Sequence, residues 1–133
     1  MTDQQSARPR VLVADPVAAE GVEILRSFAE VDERAGLDAA SLIAIMPQYD
    51  GLVVRSETKV TADAISAGTK LRIIARAGVG VDNIDVDAAT RRGVVVVNSP
   101  TGNIVAAAEH TVALLLAMAR RIPIANEALR QGR

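Results

Sequence analysis

Short aliphatic runs alternating with helix-like segments constrain this chain more than any other feature. Val11-Leu12-Val13-Ala14, Gly51-Leu52-Val53-Val54, Leu71 to Ala75 and Val94 to Val97 each read as a buried strand, with a weaker one near Ala29 to Glu33. After the first run, Pro16 sits where a helix can begin, its missing N–H costing nothing, and Val22, Ile24, Leu25 and Phe28 give that helix an apolar side. Further helices are expected over Asp38 to Met46, from a capping Thr61 through Ala67, and over Val86 to Arg92 with Gly93 as the stop. Strand, helix, strand at this spacing predicts right-handed parallel crossovers and therefore a doubly wound α/β parallel sheet.

The composition supports that reading and narrows the partners. Half the residues are apolar, mostly Ala, Val, Ile and Leu, and Phe28 and Tyr49 are the only aromatic residues. Branched aliphatic side chains suit strands buried on both faces, whereas base-stacking nucleic-acid readers need aromatic platforms. The formal net charge is −1 with no basic or acidic block, so neither nucleic acid nor a membrane surface is expected as partner. The absence of cysteine excludes disulfides and thiolate metal sites, and no histidine or carboxylate cluster suggests a metal. The first nine residues, MTDQQSARP, lack an apolar segment and read as a flexible tail, not a signal peptide. The default expectation is a cytoplasmic protein.

The last helix, Ile104 to Arg121, differs from the others. It is apolar nearly all round, which predicts burial on several sides against another domain or subunit. Glu109 and His110 in its middle, and its length, argue against a membrane span. Residues beyond Pro123 are helix-compatible with no strand after them.

In parallel sheets ligands bind beyond the carboxyl ends of the strands, and two arginines fall there: Arg55 and Arg76. Facing one crevice, they would bind a small carboxylate or phosphate. Solvated at the rim, or paired with Asp82 or Asp85, they would do nothing of the kind, and spacing does not separate the two readings. Ala77-Gly78-Val79-Gly80 follows directly. Its glycines allow close backbone approach to an anion, or simply make a turn. The run Gly78 to Asn83 imitates a dinucleotide fingerprint, but Asn83 replaces the third glycine and only a short helix follows, so that reading is rejected. Asn103, after a turn at Asn98 to Gly102, is expected to cap the last helix and is placed where it can also contact ligand. His110 reads as a hydrogen-bonded residue at a helix contact, since its neighbour Glu109 points about 100° away.

Four separated motifs, in order, carry a resemblance: Val54-Arg55-Ser56-Glu57-Thr58-Lys59-Val60-Thr61, Arg76 to Asp85, Asp87 to Gly93, and Val97 to Asn103 with Ala107-Ala108-Glu109-His110. Together they resemble the D-isomer-specific 2-hydroxyacid dehydrogenases, and the first narrows the resemblance to the branch acting on 3-phosphoglycerate. The resemblance covers the chain from about Arg10 onward. It implies a flavodoxin-like substrate-binding domain over 10–102. It implies that 103–133 form a crossover helix and the start of a truncated dinucleotide-binding domain. Substrate binding is implied for Arg55, Ser56, Asn103 and the loop Arg76, Ala77, Gly78, Val79 and Gly80, with Val79 also beside the nicotinamide of NAD. A homo-oligomer through the helix Ala106 to Arg121 is implied as well.

The family's dinucleotide fingerprint, its catalytic arginine and its histidine–glutamate pair are expected downstream of Arg133, so no catalytic residue lies in this chain. The chain alone is expected neither to bind NAD tightly nor to turn over. The whole enzyme would give 3-phosphohydroxypyruvate, opening serine synthesis. Three alternatives stand beside this. One is a hydroxypyruvate or glyoxylate reductase of the same family, disfavoured modestly by the two arginines. Another is a receiver-like module phosphorylated at Asp15, disfavoured by Pro16 and Arg55-Ser56 where acids are needed. The third is a non-catalytic α/β interaction module.

Overall fold

A computed structural model describes residues 8–133, which divide into two compact units, one ending at Pro100 and the other Thr101–Arg133. The first unit runs β1 (Arg10–Val13), α1 (Ala19–Arg26), β2 (Glu30–Glu33), α2 (Ala39–Ile45) with a 3-10 turn (Met46–Gln48), β3 (Gly51–Val54), α3 (Ala62–Ala67), β4 (Ile73–Arg76), α4 (Val86–Arg91) and β5 (Val95–Asn98). The five strands form one parallel sheet in the order β2-β1-β3-β4-β5. The chain steps one way from β1 to β2 and then the other way. Right-handed crossovers therefore put α1 on one face and α2, α3 and α4 on the other. The expected doubly wound α/β fold, flavodoxin-like in strand order, is present.

Alternation along the strands decides the core. Leu12, Leu52 and Ile74 are in register on one face and fully buried with Leu42 of α2, Ile65 of α3 and Ala89 of α4. Each such aliphatic side chain contributes about 1.5–3 kcal/mol through burial. The opposite face is uneven. Its row Val11, Gly51, Ile73, Val95 passes from buried at β1 to 40% and 56% exposed at Ile73 and Val95. Burial of strands on both faces therefore holds at β1 and fails at β4 and β5, because α1 follows β1 and covers only that end.

Local signals explain most element ends. The Thr61 hydroxyl accepts the Ala64 amide at 3.4 Å, as expected, while Asp38 and Asp85 cap α2 and α4 through the Ser41 and Ala88 amides at 2.7 and 2.8 Å. The Ser41 amide holds the Asp38 carboxyl below the usual carboxylate range. Gly93 (φ 68°) makes the left-handed exit from α4, a conformation that a Cβ would strain.

Several expectations need correction. Pro16 does not open α1; Ala18 stands at its N-cap without a side-chain bond. Phe28 lies beyond that helix, and it and Ile24 are exposed, so only Val22 is buried from the predicted apolar side. Strand β4 begins at Ile73 and takes in Arg76. Of the expected tail, residues 1–7 lie outside the described residues. Arg8 donates to the Ser27 carbonyl and the Pro9 carbonyl accepts the Glu30 amide at 2.9 Å, so 8 and 9 are tied to the sheet edge.

The second unit holds α5 (Ile104–Ala119) and α6 (Ile122–Arg130), separated by Arg121 in the left-handed conformation (φ 50°). The predicted long helix thus stops earlier than Arg121, and Pro123 opens the next one, where its ring is tolerated. Asn103 makes no side-chain cap; only its carbonyl accepts, from Ala107 at 2.9 Å. No residue of α5 is buried. Within this chain α5 packs only on the short α6, so the predicted burial on several sides requires the other domain or subunit that the prediction named. No helix among the described residues is long and apolar enough to cross a membrane.

Candidate functional site

The direction of strand addition reverses between β1 and β3, so the carboxyl ends of these two strands flank the crevice that doubly wound sheets use for ligands. Asp15 follows β1 and Arg55 follows β3. The Asp15 side chain is 2% exposed, yet it is fully engaged. Its Oδ2 accepts the Arg55 amide at 2.6 Å and the Thr58 amide at 3.2 Å, and its Oδ1 accepts the Thr58 hydroxyl at 2.5 Å. A carboxylate buried this deeply is tolerated because several donors replace its water. Those bonds also leave no oxygen exposed to a phosphodonor, which removes the physical basis for a receiver-like role.

From the other side, Asn83 Nδ2 donates to the Arg55 and Thr58 carbonyls, both at 2.7 Å. Two acceptors on one atom fix that amide's orientation, and its Oδ1 is left buried without a partner among the described residues. The loop 55–58 is thus held through its amides by Asp15 and through its carbonyls by Asn83. The Arg55 guanidinium stays at the surface, making one bond, from Nη1 to the Pro16 carbonyl at 3.3 Å. Ser56 is exposed beside it.

Arg76 behaves differently from the expectation of a second ligand-facing cation. Its Nε donates to the Arg55 carbonyl at 3.2 Å and its Nη1 to the Gly80 carbonyl at 2.7 Å, while Nη2 lies 3.7 Å from Asp82. Its side chain is 10% exposed. Arg76 therefore joins the loop 55–58 to the glycine loop, closer to the bland reading than to direct anion binding. Asp85 takes no part in this pairing, being the cap of α4.

The glycine loop is held by its carbonyls. The Gly78 carbonyl accepts the Ser99 amide at 3.0 Å, Val79 accepts Asn98 Nδ2 at 2.5 Å, and Gly80 accepts Arg76. The Ala77 amide donates to Val54 and the Gly78 amide to Arg76, but the Val79 and Gly80 amides have no acceptor among the described residues. Successive amides without acceptors are the kind of backbone donor set from which anion-binding nests are built. The glycines have a local reason as well: a Cβ on Gly78 would stand 3.0 Å from Arg76 Nη1, and one on Gly80 would stand 2.8 Å from Asp82 Oδ1. The next helix begins only at Val86, so this loop opens no helix N-terminus of the kind a pyrophosphate uses.

The rim therefore brings together Arg55, Ser56, Arg76, Ala77, Gly78, Val79 and Gly80. Asn103 belongs to the second unit. Sequence reasoning missed Thr58 and Asn98, treated Asn83 only as a missing glycine, and weighed Asp15 only as a phosphoacceptor. The available signal was an aspartate directly after a buried strand.

The family described as D-isomer specific 2-hydroxyacid dehydrogenase, catalytic domain, matches residues 11–132. The chain belongs to that family. Among curated relatives, it is 54% identical over 124 residues to the D-3-phosphoglycerate dehydrogenase of Synechocystis sp., covering 93% of this chain and 22% of that protein. It is 50% identical over 125 residues to that of Archaeoglobus fulgidus, with 93% and 24% covered. The chain thus spans less than a quarter of these relatives' length. Among solved structures it is similar to the NAD+-bound 3-phosphoglycerate dehydrogenase of Entamoeba histolytica (31% identity, TM-score 0.74, 84% of this chain and 39% of that one). It is also similar to an NADPH-dependent glyoxylate/hydroxypyruvate reductase of Sinorhizobium meliloti in complex with citrate (36%, TM-score 0.82, 95% and 40%).

Proposed function

We propose that this chain is the substrate-binding part of an oxidoreductase that removes a hydride from C2 of 3-phosphoglycerate, giving 3-phosphohydroxypyruvate and opening serine synthesis. The observation that carries this is the glycine loop, whose carbonyls are turned to protein donors while the Val79 and Gly80 amides are open. Those two donors suit a substrate carboxylate, and the adjacent Arg55 suits a second anionic oxygen in fork geometry. Arg76, Ala77 and Gly78 support the loop and Ser56 offers a hydroxyl, while Asn103, in the other unit, rests on the family resemblance alone. The identity to D-3-phosphoglycerate dehydrogenases supports the choice of substrate.

NAD, when bound, supplies the hydride acceptor. The described residues suit it at one edge only, through the exposed Val79 side chain, and offer no glycine-rich turn into a helix for its pyrophosphate. Hydride loss from C2 also needs a base for the hydroxyl proton, and His110 lies on α5 among apolar neighbours, away from the rim motifs in sequence. The chain alone therefore holds and orients substrate without turnover. The apolar surface of α5, with Leu114, Leu115 and Leu116 more than half exposed, suits a partner subunit, and sedimentation of the full-length protein tests that.

A protein joining this segment to the remaining length typical of the family should oxidise 3-phosphoglycerate with NAD. The likeness to the Sinorhizobium meliloti reductase favours a second reading, reduction of glyoxylate or hydroxypyruvate. Activity confined to those substrates would replace the first reading with the second.

A further inference from the structure

We propose that Asp15 and Asn83 are positioning residues that aim Arg55 at the ligand, resting on the reading of the rim as a substrate site. Neither side chain is directed at the ligand. Asp15 is buried, and both donor hydrogens of Asn83 are spent on the Arg55 and Thr58 carbonyls. What they share is the peptide segment 55–58, gripped on its amides by one and on its carbonyls by the other. The Arg55 side chain has a single long hydrogen bond of its own, so the held backbone fixes the point from which its guanidinium reaches. Arg76 ties the same Arg55 carbonyl to Gly80, so the brace also sets the spacing between the Arg55 backbone and the loop that carries the open amides. A fork-shaped contact loses most of its value when displaced by about 1 Å, which makes this spacing a determinant of affinity.

The arrangement is unusual in leaving Asn83 Oδ1 buried without a partner. A leucine of similar size would remove that unpaired oxygen together with both donated bonds, so Asn83→Leu tests the grip with the smaller risk to folding. Asp15 admits a conservative variant. In Asp15→Asn, one oxygen can still accept the two amides, while the new NH2 donates to the Thr58 hydroxyl. That hydroxyl can then turn toward the Ala14 carbonyl, 3.4 Å away.

The experiment uses the 133-residue chain with 3-phosphoglycerate as the probe, reading amide exchange and binding by NMR. In the wild type, the Arg55 and Thr58 amides should exchange slowly, and those of Ser56 and Glu57 quickly. Asn83→Leu should speed exchange at Arg55 and Thr58 and weaken binding by about fivefold, the scale of one hydrogen bond's net contribution. That loss should vanish when Arg55 is already Gln, because a brace acting through Arg55 has nothing left to aim. Asp15→Asn should bind within about twofold of wild type, and Asp15→Leu should lose about tenfold or more.

Unchanged exchange and affinity in Asn83→Leu, or a loss that adds in full to that of Arg55→Gln, would overturn the proposal. If the wild-type chain fails to bind 3-phosphoglycerate while Asn83→Leu still frees the two amides, the ligand assignment falls and the brace stands.

Discussion

The two rims of the same sheet are built on opposite principles. At the amino rim, a groove of about 690 Å³ is lined chiefly by Pro9, Val11, Phe28, Leu71, Ile73 and Val95. At the carboxyl rim, the hollow that includes Arg55 is only about 340 Å³ and is lined by Pro16, Val17, Ala18, Arg55 and Ala77. The larger concavity also carries Asp50, Arg72 and Arg92, but Asp50 is bonded to the Arg10 amide and Arg92 to the Ser66 carbonyl. The shape of this groove follows from the bare β4–β5 face, where side chains meant for packing stand open. The carboxyl rim gains its order from polar bonds: side chains hold two loops by their backbone atoms and leave an exposed guanidinium and two amides without acceptors among the described residues. Size of cavity and readiness for chemistry are thus separate properties, and substitutions should separate them.

The largest expected effect is on binding at the carboxyl rim. Arg55→Gln should weaken 3-phosphoglycerate binding by about 1.5–3 kcal/mol, the value of a charge-assisted hydrogen bond, with an unchanged melting midpoint. A calorimetric titration alongside a thermal melt checks both halves. A large stability loss would mean that Arg55 belongs to the packing of the rim instead.

Next comes Tyr49, buried before β3, whose hydroxyl donates to Asp32 at 2.7 Å. That bond, aided by Arg10, holds the Asp32 carboxyl below its usual range, while burial and Asp32 push the Tyr49 phenol up. Tyr49→Phe should cost about 1–2 kcal/mol in urea unfolding at neutral pH and leave binding untouched. The sign with pH follows from the lowered carboxyl. Its stabilisation is complete above the unfolded value of about 3.9 and is lost as pH falls through the lower folded value. The gap between wild type and variant should therefore close in acid. Since Tyr49 is the only tyrosine and tryptophan is absent, ultraviolet titration reports its phenol directly, and it should ionise above the ordinary value.

Smaller again is Gly68→Ala at the amino rim, where a Cβ would stand 2.9 Å from Leu71 Cβ. About 1 kcal/mol of overpacking is expected in the same unfolding assay. Smallest is Phe28→Ser in the open groove. It should shift stability by less than about 0.5 kcal/mol, because the ring is already more than half exposed. A measurable effect of either substitution on ligand binding would erase the distinction between the rims.

Strand identity was readable because aliphatic runs at this spacing have few other uses. Val11 to Val13, Gly51 to Val54 and Val95 to Val97 are all strand residues in the fold. Helix starts were readable where a side chain marks them, as at Thr61, and unreadable where none does, as at Ala18. The apolar pattern of α1 misled because Ile24 and Phe28 share its hydrophobicity without facing a covered surface. At the candidate site, the sequence pointed to residues of one rim but not to the division of labour among them. Arg55 and Arg76 look alike in sequence, and only three-dimensional neighbours show that one is turned to solvent and the other spent on carbonyls. Asp15 and Asn83 act across 40 and 28 positions on Arg55, distances over which local pattern carries no information.

The central claim is that the open Val79 and Gly80 amides, with Arg55, receive the anionic end of a hydroxy acid. Titrating the chain with 3-phosphoglycerate while following backbone amide shifts tests this most directly. Saturable shifts at Val79, Gly80 and Arg55, with Gly51, Gly93 and Val95 at the opposite rim unmoved, are the predicted result. Shifts centred on the amino-rim groove, or none at Val79 and Gly80, would contradict it.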